Sequence, residues 1–344
     1  MLMARVSSEA RGIARVRGRL SAGGFAGGTV FRLADTGGLG LGSGKDNDDP
    51  RPAFPTIANL PMPSTFIALQ HLVPQHTLSR LAGALAASEQ PWLRDQLIRR
   101  FVAAFNVDLS EAARGIGQFA SFNDFFTREL KPGARPLADA DAFILSPADG
   151  AISQLGPITG GRILQAKGRD YSVAEILGES DEAAAARFEG GRFMTIYLSP
   201  RDYHRVHMPA AGRLNSTAYL PGDLFSVNQE TAEGVDRLFA RNERLACLFD
   251  GPDGHFASIM VGAMIVAGID TVWGNHFRTH APAPVREEFA AAAHDFAAGD
   301  EMGRFYLGST VVLLFEPGRV EWLKELVPGD ALRMGQAIGR RLAS

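Results

Sequence analysis

Three kinds of side chain in this sequence could together attack an acyl group: a serine, one of two histidines, and an aspartate. Ser309 follows Gly308 in EMGRFYLGSTVVLLFEPG (301–318), which is otherwise rich in residues typical of a buried strand. Glycine within such a stretch marks a bulge or a close backbone approach. We therefore expect a strand interrupted at Leu-Gly-Ser-Thr, either by a bulge with a solvated Ser309 or by a reactive serine.

The two closest histidines, His204 and His207, lie in SPRDYHRVHMP (199–209). If this segment is extended, residues three apart point to opposite faces, so the two rings could serve different tasks. A zinc site would need further cysteine, histidine or carboxylate ligands. No cysteine is nearby, so we predict no metal site. Two hydrogen-bonded histidines near a surface turn are the plainer interpretation.

Asp149 lies in SPADG (146–150), where an Asp-Gly pair predicts a tight turn and by itself indicates little. Ser309, a histidine and Asp149 would supply a nucleophile, its base and the group that orients the base. Such triads occur in several chain orders, so their order here does not decide whether the three residues meet.

The composition is that of a globular protein with a substantial core: 344 residues, 46% hydrophobic and 21% charged. The net charge of -3 argues against a general nucleic-acid binder. The single cysteine, Cys247, excludes an internal disulfide, and its apolar neighbours predict a buried thiol. We see no apolar run of about eighteen residues and predict no transmembrane helix, which leaves membrane-surface attachment open.

Residues 1–61 differ from the remainder. Arginines dominate the first twenty residues, and nine glycines lie within 21–50. Such a stretch buries too little apolar surface to offset its ordering entropy. We predict a flexible extension, or one that precedes the true translation start at Met62; a transit peptide is the weaker alternative.

Residues 62–130 are predicted to be helical, with apolar residues at helical spacing after Pro63 and again after Pro91. Arginines lie beside the second apolar stripe, and such a face either enters a lipid headgroup region or packs on its own domain. SFNDFFTREL (121–130) predicts a short aromatic helix.

Residues 131–344 are predicted to form a β-rich catalytic domain. We thus expect an α+β fold, with barrel-like or sandwich-like sheets preceded by N-terminal amphipathic helices. Turn signals separate four strand-like segments: RFMTIYLS (192–199), RLACLFD (244–250), FASIMVGAMIVAGI (256–269) and TVVLLF (310–315).

From about residue 62 onward, the chain closely resembles the bacterial-type, pyruvoyl-dependent phosphatidylserine decarboxylases. Leu-Gly-Ser-Thr alone would be a poor signal, but its combination with Tyr-His-Arg-Val-His and Pro-Gly-Asp-Leu-Phe-Ser-Val-Asn is specific. The resemblance does not cover 1–61 and weakens over 273–289. The motifs that carry it are, in order, SPADG, QAKGRDYS, LSPRDYHRVHMP, PGDLFSVN, LFARNER, VGAMIVAGI and EMGRFYLGST.

The resemblance implies a proenzyme that cuts its own backbone between Gly308 and Ser309. Ser309 would attack the Gly308 carbonyl, with His207 as base and Asp149 as the group that orients it. Elimination and hydrolysis would then convert Ser309 into a covalent pyruvoyl cofactor. The two products, a β chain (1–308) and an α chain (309–344), would form a heterodimer or a higher oligomer.

The implied reaction is decarboxylation of phosphatidylserine to phosphatidylethanolamine and CO₂ through a Schiff base to the pyruvoyl group. His204 is the candidate for placing or delivering the proton. Phe225 is the candidate for packing against the substrate, with core packing as its alternative. A lipid substrate implies an anionic membrane surface as partner and peripheral attachment to the cytoplasmic side of the cell membrane, with the helices at 63–106 as the docking element.

Three alternatives stay open. A Ser-His-Asp hydrolase that never cuts itself would normally show Gly-x-Ser-x-Gly, which Gly-Ser-Thr does not match. A β-rich lipid-binding protein would use the same histidines and serine only structurally. A pyruvoyl decarboxylase acting on a soluble amino acid is disfavoured by the amphipathic helices.

Overall fold

The computed structural model describes residues 75–178, 182–263, 268–274, 276–277, 283–290, 294–306 and 309–342. The predicted extension at 1–61 and the first part of the predicted helical region therefore lie outside the described residues. Leu307 and Gly308 also lie outside them.

The described residues form seven α-helices, a short 3₁₀ helix and eighteen β-strands. The α-helices are α1 (Gln75–Ala86), α2 (Pro91–Phe105), α3 (Phe122–Phe126), α4 (Val173–Leu177), α5 (Glu182–Ala186), α6 (Gln229–Gly234) and α7 (Leu238–Arg241), and the 3₁₀ helix is Ile116–Gln118. The strands are β1 (Phe143–Leu145), β2 (Gly150–Pro157), β3 (Arg162–Ala166), β4 (Arg169–Ser172), β5 (Arg192–Leu198), β6 (Arg205–His207), β7 (Gly212–Leu220), β8 (Arg244–Gly251), β9 (Gly254–Gly262), β10 (Ile269–Thr271), β11 (His276–Phe277), β12 (Val285–Glu288), β13 (Asp295–Phe296), β14 (Glu301–Phe305), β15 (Ser309–Phe315), β16 (Val320–Trp322), β17 (Ala331–Leu332) and β18 (Ala337–Arg341).

The helices at the start of the described chain pack around phenylalanines. Helix α2 begins at Pro91, whose fixed φ suits the first helical turn, and ends at Phe105, with Asn106 as a C-cap in the left-handed conformation. Its Phe101 meets Phe122 edge to face at 5.1 Å. Ser121 caps α3 through its hydroxyl, which accepts from the Asp124 amide at 3.2 Å. The helix predicted near Pro91 and the short aromatic helix are confirmed.

A nine-stranded antiparallel sheet forms the centre of the β-rich part, in the order β12-β7-β8-β9-β15-β5-β2-β17, with β13 also paired to β7. Both faces are covered. Along β15, Val312 and Leu314 join one core cluster, and Val311 and Leu313 join the other. This alternation is what an extended strand buried on two faces requires. All seven residues of β15 are buried.

Three smaller sheets accompany the large one: β1-β18-β16, β11-β10-β14-β6 and β3-β4. The four strand-like segments of the sequence correspond to β5, β8, β9 with β10, and β15. The predicted α+β class, with β-rich sheets following helices, is confirmed. Cys247 is fully buried, as its apolar neighbours predict.

The stretch around Leu-Gly-Ser-Thr differs from the expected single strand. Strand β14 pairs with β6 and β10, whereas β15 pairs with β5 and β9 in the large sheet. The chain therefore passes from one sheet to another between Phe305 and Ser309. The sequence could not reveal this because both halves are buried and equally apolar. Ser309 is fully buried rather than solvated.

Candidate active site

Asp149 and Ser309 lie at the same end of the large sheet. Tyr197 of β5 pairs with Ala151 of β2 on one side and with Thr310 of β15 on the other. Because β2 and β15 are both antiparallel to β5, they run in the same direction and begin at the same end. Asp149 immediately precedes β2, and Ser309 begins β15.

The histidine segment follows β5 and returns to this end of the sheet. The amide of His207 donates to the carbonyl of Pro147, in the SPADG turn, at 2.8 Å. The amide of Phe305, shortly before Ser309, donates to the carbonyl of His204 at 3.0 Å. The structure thus brings the backbone of the two histidines beside the segments that carry Asp149 and Ser309.

The carboxylate of Asp149 is held mainly by Arg135. Arg135 donates from Nε to Oδ1 at 2.8 Å and from Nη2 to Oδ2 at 2.5 Å, and the amide of Met334 donates to Oδ1 at 2.8 Å. Glu111 also contacts this nitrogen, with its Oε2 2.9 Å from Nη2. Hydrogen bonding to Asp149 raises the pKa of Arg135. Asp149 is therefore a buried anion with a firmly paired cation.

His207 is oriented by two other groups. Its Nδ1 lies 2.8 Å from the carbonyl oxygen of Gly299, and its Nε2 lies 3.0 Å from the hydroxyl of Tyr203. A carbonyl can only accept, so Nδ1 carries the proton and Nε2 accepts from Tyr203. Burial lowers the pKa of His207, and the hydrogen bond to Gly299 and the charge of Glu301 oppose this, with a smaller contribution from Asp149. His207 is therefore a neutral imidazole whose basic nitrogen is occupied by a hydroxyl.

His204 is more deeply buried than His207. Its ring is fully buried against Phe126, with the ring centroids 4.1 Å apart. Nδ1 donates to the carbonyl of Asp202 at 2.9 Å, so Nε2 is the acceptor, and it has no hydrogen-bond partner among the described residues. Burial lowers the pKa of His204 to about 3. At neutral pH this ring can place a proton donor, but it carries no proton on Nε2 to deliver.

Ser309 presents an unused hydroxyl. It lies between Leu198 of β5 and Gly262 of β9, neither of which offers a polar side chain. Within the described part of the chain, its buried Oγ has no hydrogen-bond partner. A buried polar atom left unsatisfied costs free energy, and the neighbouring Thr310 Oγ1 shares this property. Gly308, on the other side of the predicted scissile bond, lies outside the described residues.

Phe225 lies near the site, but its ring is in the core. The ring belongs to a buried apolar cluster, and the Arg241 guanidinium lies 4.8 Å from its centroid. The side chain of Asn242 bonds the amide and carbonyl of Phe225 at 3.1 and 2.9 Å and the carbonyl of Gly262 at 2.9 Å. The Phe225 segment is thereby tied to the residue paired with Ser309. Contact of Phe225 with a substrate stays a prediction.

Two residues of the site were not singled out from the sequence. Tyr203 stands inside the Tyr-His-Arg-Val-His motif, so its position next to a histidine was the available signal. Arg135 stands in a loop, KPGARPL, and is fourteen residues from its partner Asp149. Nothing in the local pattern marks Arg135.

The helices before the site expose large apolar side chains. Leu81, Leu85 and Trp92 are 62%, 54% and 70% exposed. Arg99, also exposed, is two helical turns from Trp92 on the same side of α2. None of the helices in the described part of the chain has the length and apolarity that crossing a bilayer requires.

Comparison with known proteins identifies the family of this chain. The model of the family described as phosphatidylserine decarboxylase matches residues 122–340. The chain belongs to the phosphatidylserine decarboxylase family. A second model, described as PSD, matches residues 65–106. The resemblance drawn from the motifs is confirmed.

Relatives that this chain covers almost completely carry the name phosphatidylserine decarboxylase proenzyme. The one from Azotobacter vinelandii is 53% identical over 279 residues, which cover 80% of this chain and 97% of the relative. Those from Pseudomonas fluorescens and Alcanivorax borkumensis are 52% and 51% identical, each over 80% of this chain and 96% and 95% of the relative. Family membership confirms the predicted enzyme class, a carboxy-lyase of phospholipid biosynthesis.

Proposed function

We propose that this chain converts phosphatidylserine to phosphatidylethanolamine and CO₂ after cutting its own backbone before Ser309. The observation that supports this most directly is the fully buried, unpartnered hydroxyl of Ser309 at the start of the central strand. Thr310, the next residue of the strand, also has a buried hydroxyl without a partner among the described residues, so what sets Ser309 apart is its position directly after the predicted scissile bond. The relatives are named as proenzymes, which fits a precursor that matures.

The cut uses the chain's own residues. Ser309 Oγ attacks the carbonyl carbon of Gly308, and its proton passes to Nε2 of His207 once the Tyr203 hydroxyl has given way. The peptide C–N bond breaks, the nitrogen of residue 309 takes the proton from His207, and an ester forms in place of the amide. Elimination then removes the proton from Cα of residue 309, breaks the Cβ–Oγ bond, releases a carboxylate at Gly308 and leaves dehydroalanine at 309. Water converts dehydroalanine to a pyruvoyl group and ammonia, giving a β chain (1–308) and an α chain (309–344).

The surroundings of residue 309 suit such a group. Gly262, directly opposite, adds no side chain that would crowd a planar carbonyl. A pyruvoyl carbonyl there supplies an electrophile for the substrate amine and a sink for the electrons left when CO₂ departs. His204, neutral and with a free Nε2 lone pair, orients the proton donor for the carbon that loses CO₂.

Residues 62–130 are proposed to dock the enzyme on an anionic membrane surface. Leu81, Leu85 and Trp92 would enter the headgroup region, and Arg99 and Arg100 would meet its anionic groups. Attachment would be peripheral, on the cytoplasmic side of the cell membrane. This arrangement favours a lipid over a soluble amino acid as substrate.

Intact mass and CO₂ release together test the proposal. We expect the purified protein to contain a small fragment that begins at residue 309 with a carbonyl-bearing, blocked terminus, and to release CO₂ from phosphatidylserine vesicles. Ser309→Ala should give a single 36.9 kDa chain without activity. An uncut wild-type chain that releases fatty acid would indicate the hydrolase, and vesicle binding without CO₂ would indicate the lipid-binding protein.

A further inference from the structure

Arg128, just after α3, is a buried cation with unused hydrogen-bond donors. Its residue is only 3% exposed. Nη2 donates to the carbonyl oxygens of Arg201 and Asp202 at 3.2 and 3.5 Å. Nε and Nη1 are buried and have no partner among the described residues. Two of the three guanidinium nitrogens therefore lack a hydrogen-bond partner among the described residues, and the guanidinium carbon lies 5.5 Å from the ring centroid of Phe125.

The nearby carboxylates do not neutralise this charge. Asp149 is committed to Arg135, and Oδ2 of Asp202 accepts the Ser199 amide at 2.7 Å. No ion pair joins Arg128 to a carboxylate within the described chain. Burial lowers the pKa of Arg128, which reflects the cost of holding the charge away from water. Unpaired buried charges are costly, so an anion from outside the chain is the natural partner.

Arg128 belongs to the candidate active site. Its Nη2 and the Nδ1 of His204 donate to the same carbonyl oxygen, that of Asp202, at 3.5 and 2.9 Å. Burial is the main cause of the lowered pKa of His204, and the positive charge of Arg128 lowers it further. Arg128 and His204 are therefore anchored to the same backbone carbonyl, which places the guanidinium beside the His204 ring.

We propose that Arg128 binds the phosphodiester anion of the substrate headgroup. The identity of that substrate rests on the proposed function, whereas the need for an anion rests on the buried guanidinium itself. The planar guanidinium suits two phosphate oxygens at once. The substrate carboxylate is a poorer partner: it loses its charge in the reaction, so a cation held on it would stabilise the ground state more than the transition state.

Two soluble probes separate these partners. sn-Glycero-3-phosphoethanolamine has the phosphodiester and amine without the carboxylate, and L-serine has the amine and carboxylate without the phosphodiester. Binding of each to the purified full-length protein is measured by calorimetry. We expect Arg128→Gln to weaken the phosphodiester probe by about ten- to a hundredfold, the worth of a hydrogen-bonded charge, and to leave L-serine unchanged. Arg128→Lys, which keeps the charge, should lie between.

Arg341→Gln is the matched control, because Arg341 is a partly buried arginine paired with Asp253 and bonded to the Ala140 carbonyl. It should leave both probes unaffected. Equal weakening of both probes by Arg128→Gln would mean that Arg128 only holds the His204 loop. Weakening of L-serine alone would assign it to the carboxylate. Either result, or no binding of the phosphodiester probe to the wild type, overturns the inference.

The same measurements keep this inference separate from the proposed function. Wild-type protein that binds the phosphodiester probe through Arg128 but releases no CO₂ from phosphatidylserine would sink the function and leave the anion site standing. Wild-type protein that releases CO₂, with Arg128→Gln still binding the probe normally, would sink only the anion site. If Arg128→Gln does not fold, the comparison of Arg128→Lys with the wild type decides.

Discussion

The guanidinium of Arg135 holds the carboxylate of Asp149 in a two-point pair, with N–O distances of 2.8 and 2.5 Å. His207, which Asp149 was expected to orient directly, takes its orientation from Gly299 and Tyr203 instead. Burial has the largest influence on the pKa of His207, and the charge of Asp149 contributes less than the hydrogen bond to Gly299 and the charge of Glu301. Different residues thus hold Asp149 and His207 in place.

The guanidinium of Arg135 should stabilise the folded state by pairing with the buried carboxylate of Asp149. We expect Arg135→Gln to lower the free energy of unfolding by about 3–5 kcal/mol, since it leaves a buried carboxylate without its cation. It should also slow self-cleavage. Denaturant unfolding and the uncut fraction measure the two effects. The control is Arg162→Gln, at an exposed pair with Asp170, which should cost under about 1 kcal/mol. If the two variants lose the same free energy of unfolding, the Arg135 pair stabilises the fold no more than an exposed ion pair does.

The Tyr203 hydroxyl competes for the nitrogen that must accept the proton of Ser309. We expect Tyr203→Phe to speed self-cleavage by about two- to tenfold, because the hydrogen bond to Nε2 of His207 no longer has to be broken first. His207→Ala should block or greatly slow the cut. The fraction of cut chain over time, from the start of synthesis, is the measurement. Slower cutting in Tyr203→Phe would instead make the hydroxyl a proton relay.

Glu243 should make stability fall as pH rises. This carboxyl is 1% exposed, and burial raises its pKa to about 7, although hydrogen bonding to Tyr219 opposes the shift. The folded state therefore keeps a proton that the unfolded state has lost. The resulting stabilisation is fully present below the ordinary glutamate pKa and is lost as pH rises through about 7. The total from this group is about 3 kcal/mol.

Glu243→Gln should remove this loss of stability with rising pH. Denaturant unfolding at about pH 5 and about pH 8, in uncut Ser309→Ala protein, gives the difference for each variant. The Gln variant should be less sensitive to this pH change than its parent. Glu325→Gln, at an exposed carboxylate, is the control and should behave like the parent. Indistinguishable pH sensitivity in all three proteins would contradict a protonated Glu243.

The exposed apolar side chains of α1 and α2 should determine membrane affinity. We expect Leu85→Glu or Trp92→Glu to weaken binding to phosphatidylserine vesicles about tenfold or more, because burying such a side chain is worth about 1.5–3 kcal/mol. Stability in solution should change little. Val327, in the C-terminal part, is 52% exposed against 54% for Leu85, so Val327→Glu is the matched control. Vesicle flotation gives the bound fraction, and equal losses would place docking elsewhere.

The sequence predicted the elements better than their connections. The strand that became β15 and the helix at Pro91 follow from periodicity and turn residues, which are local properties. The break between β14 and β15 was not predicted as a change of sheet, because burial in either sheet selects the same residue types. Which sheet a segment joins depends on partners far away in sequence.

In the candidate site, too, local features could be predicted from the sequence and long-range contacts could not. Ser309, Asp149 and the two histidines could be selected by residue type and motif. The pairing of Asp149 with Arg135 could not, because an arginine in a loop is usually solvated and its partner lies in another turn. The unused donors of Arg128 were equally invisible, since only three-dimensional packing shows which polar atoms are left without partners.

Strand β15 is paired along its whole length, from Ser309 to Phe315, with β5 on one side and β9 on the other. A break before Ser309 would therefore leave a short polypeptide clamped as an inner strand of the sheet. Native purification should not separate the two pieces, and exchange of the short piece between molecules would require opening the whole fold. The new terminus would stay at the start of β15, held there by hydrogen bonds rather than by a covalent link to the rest of the enzyme.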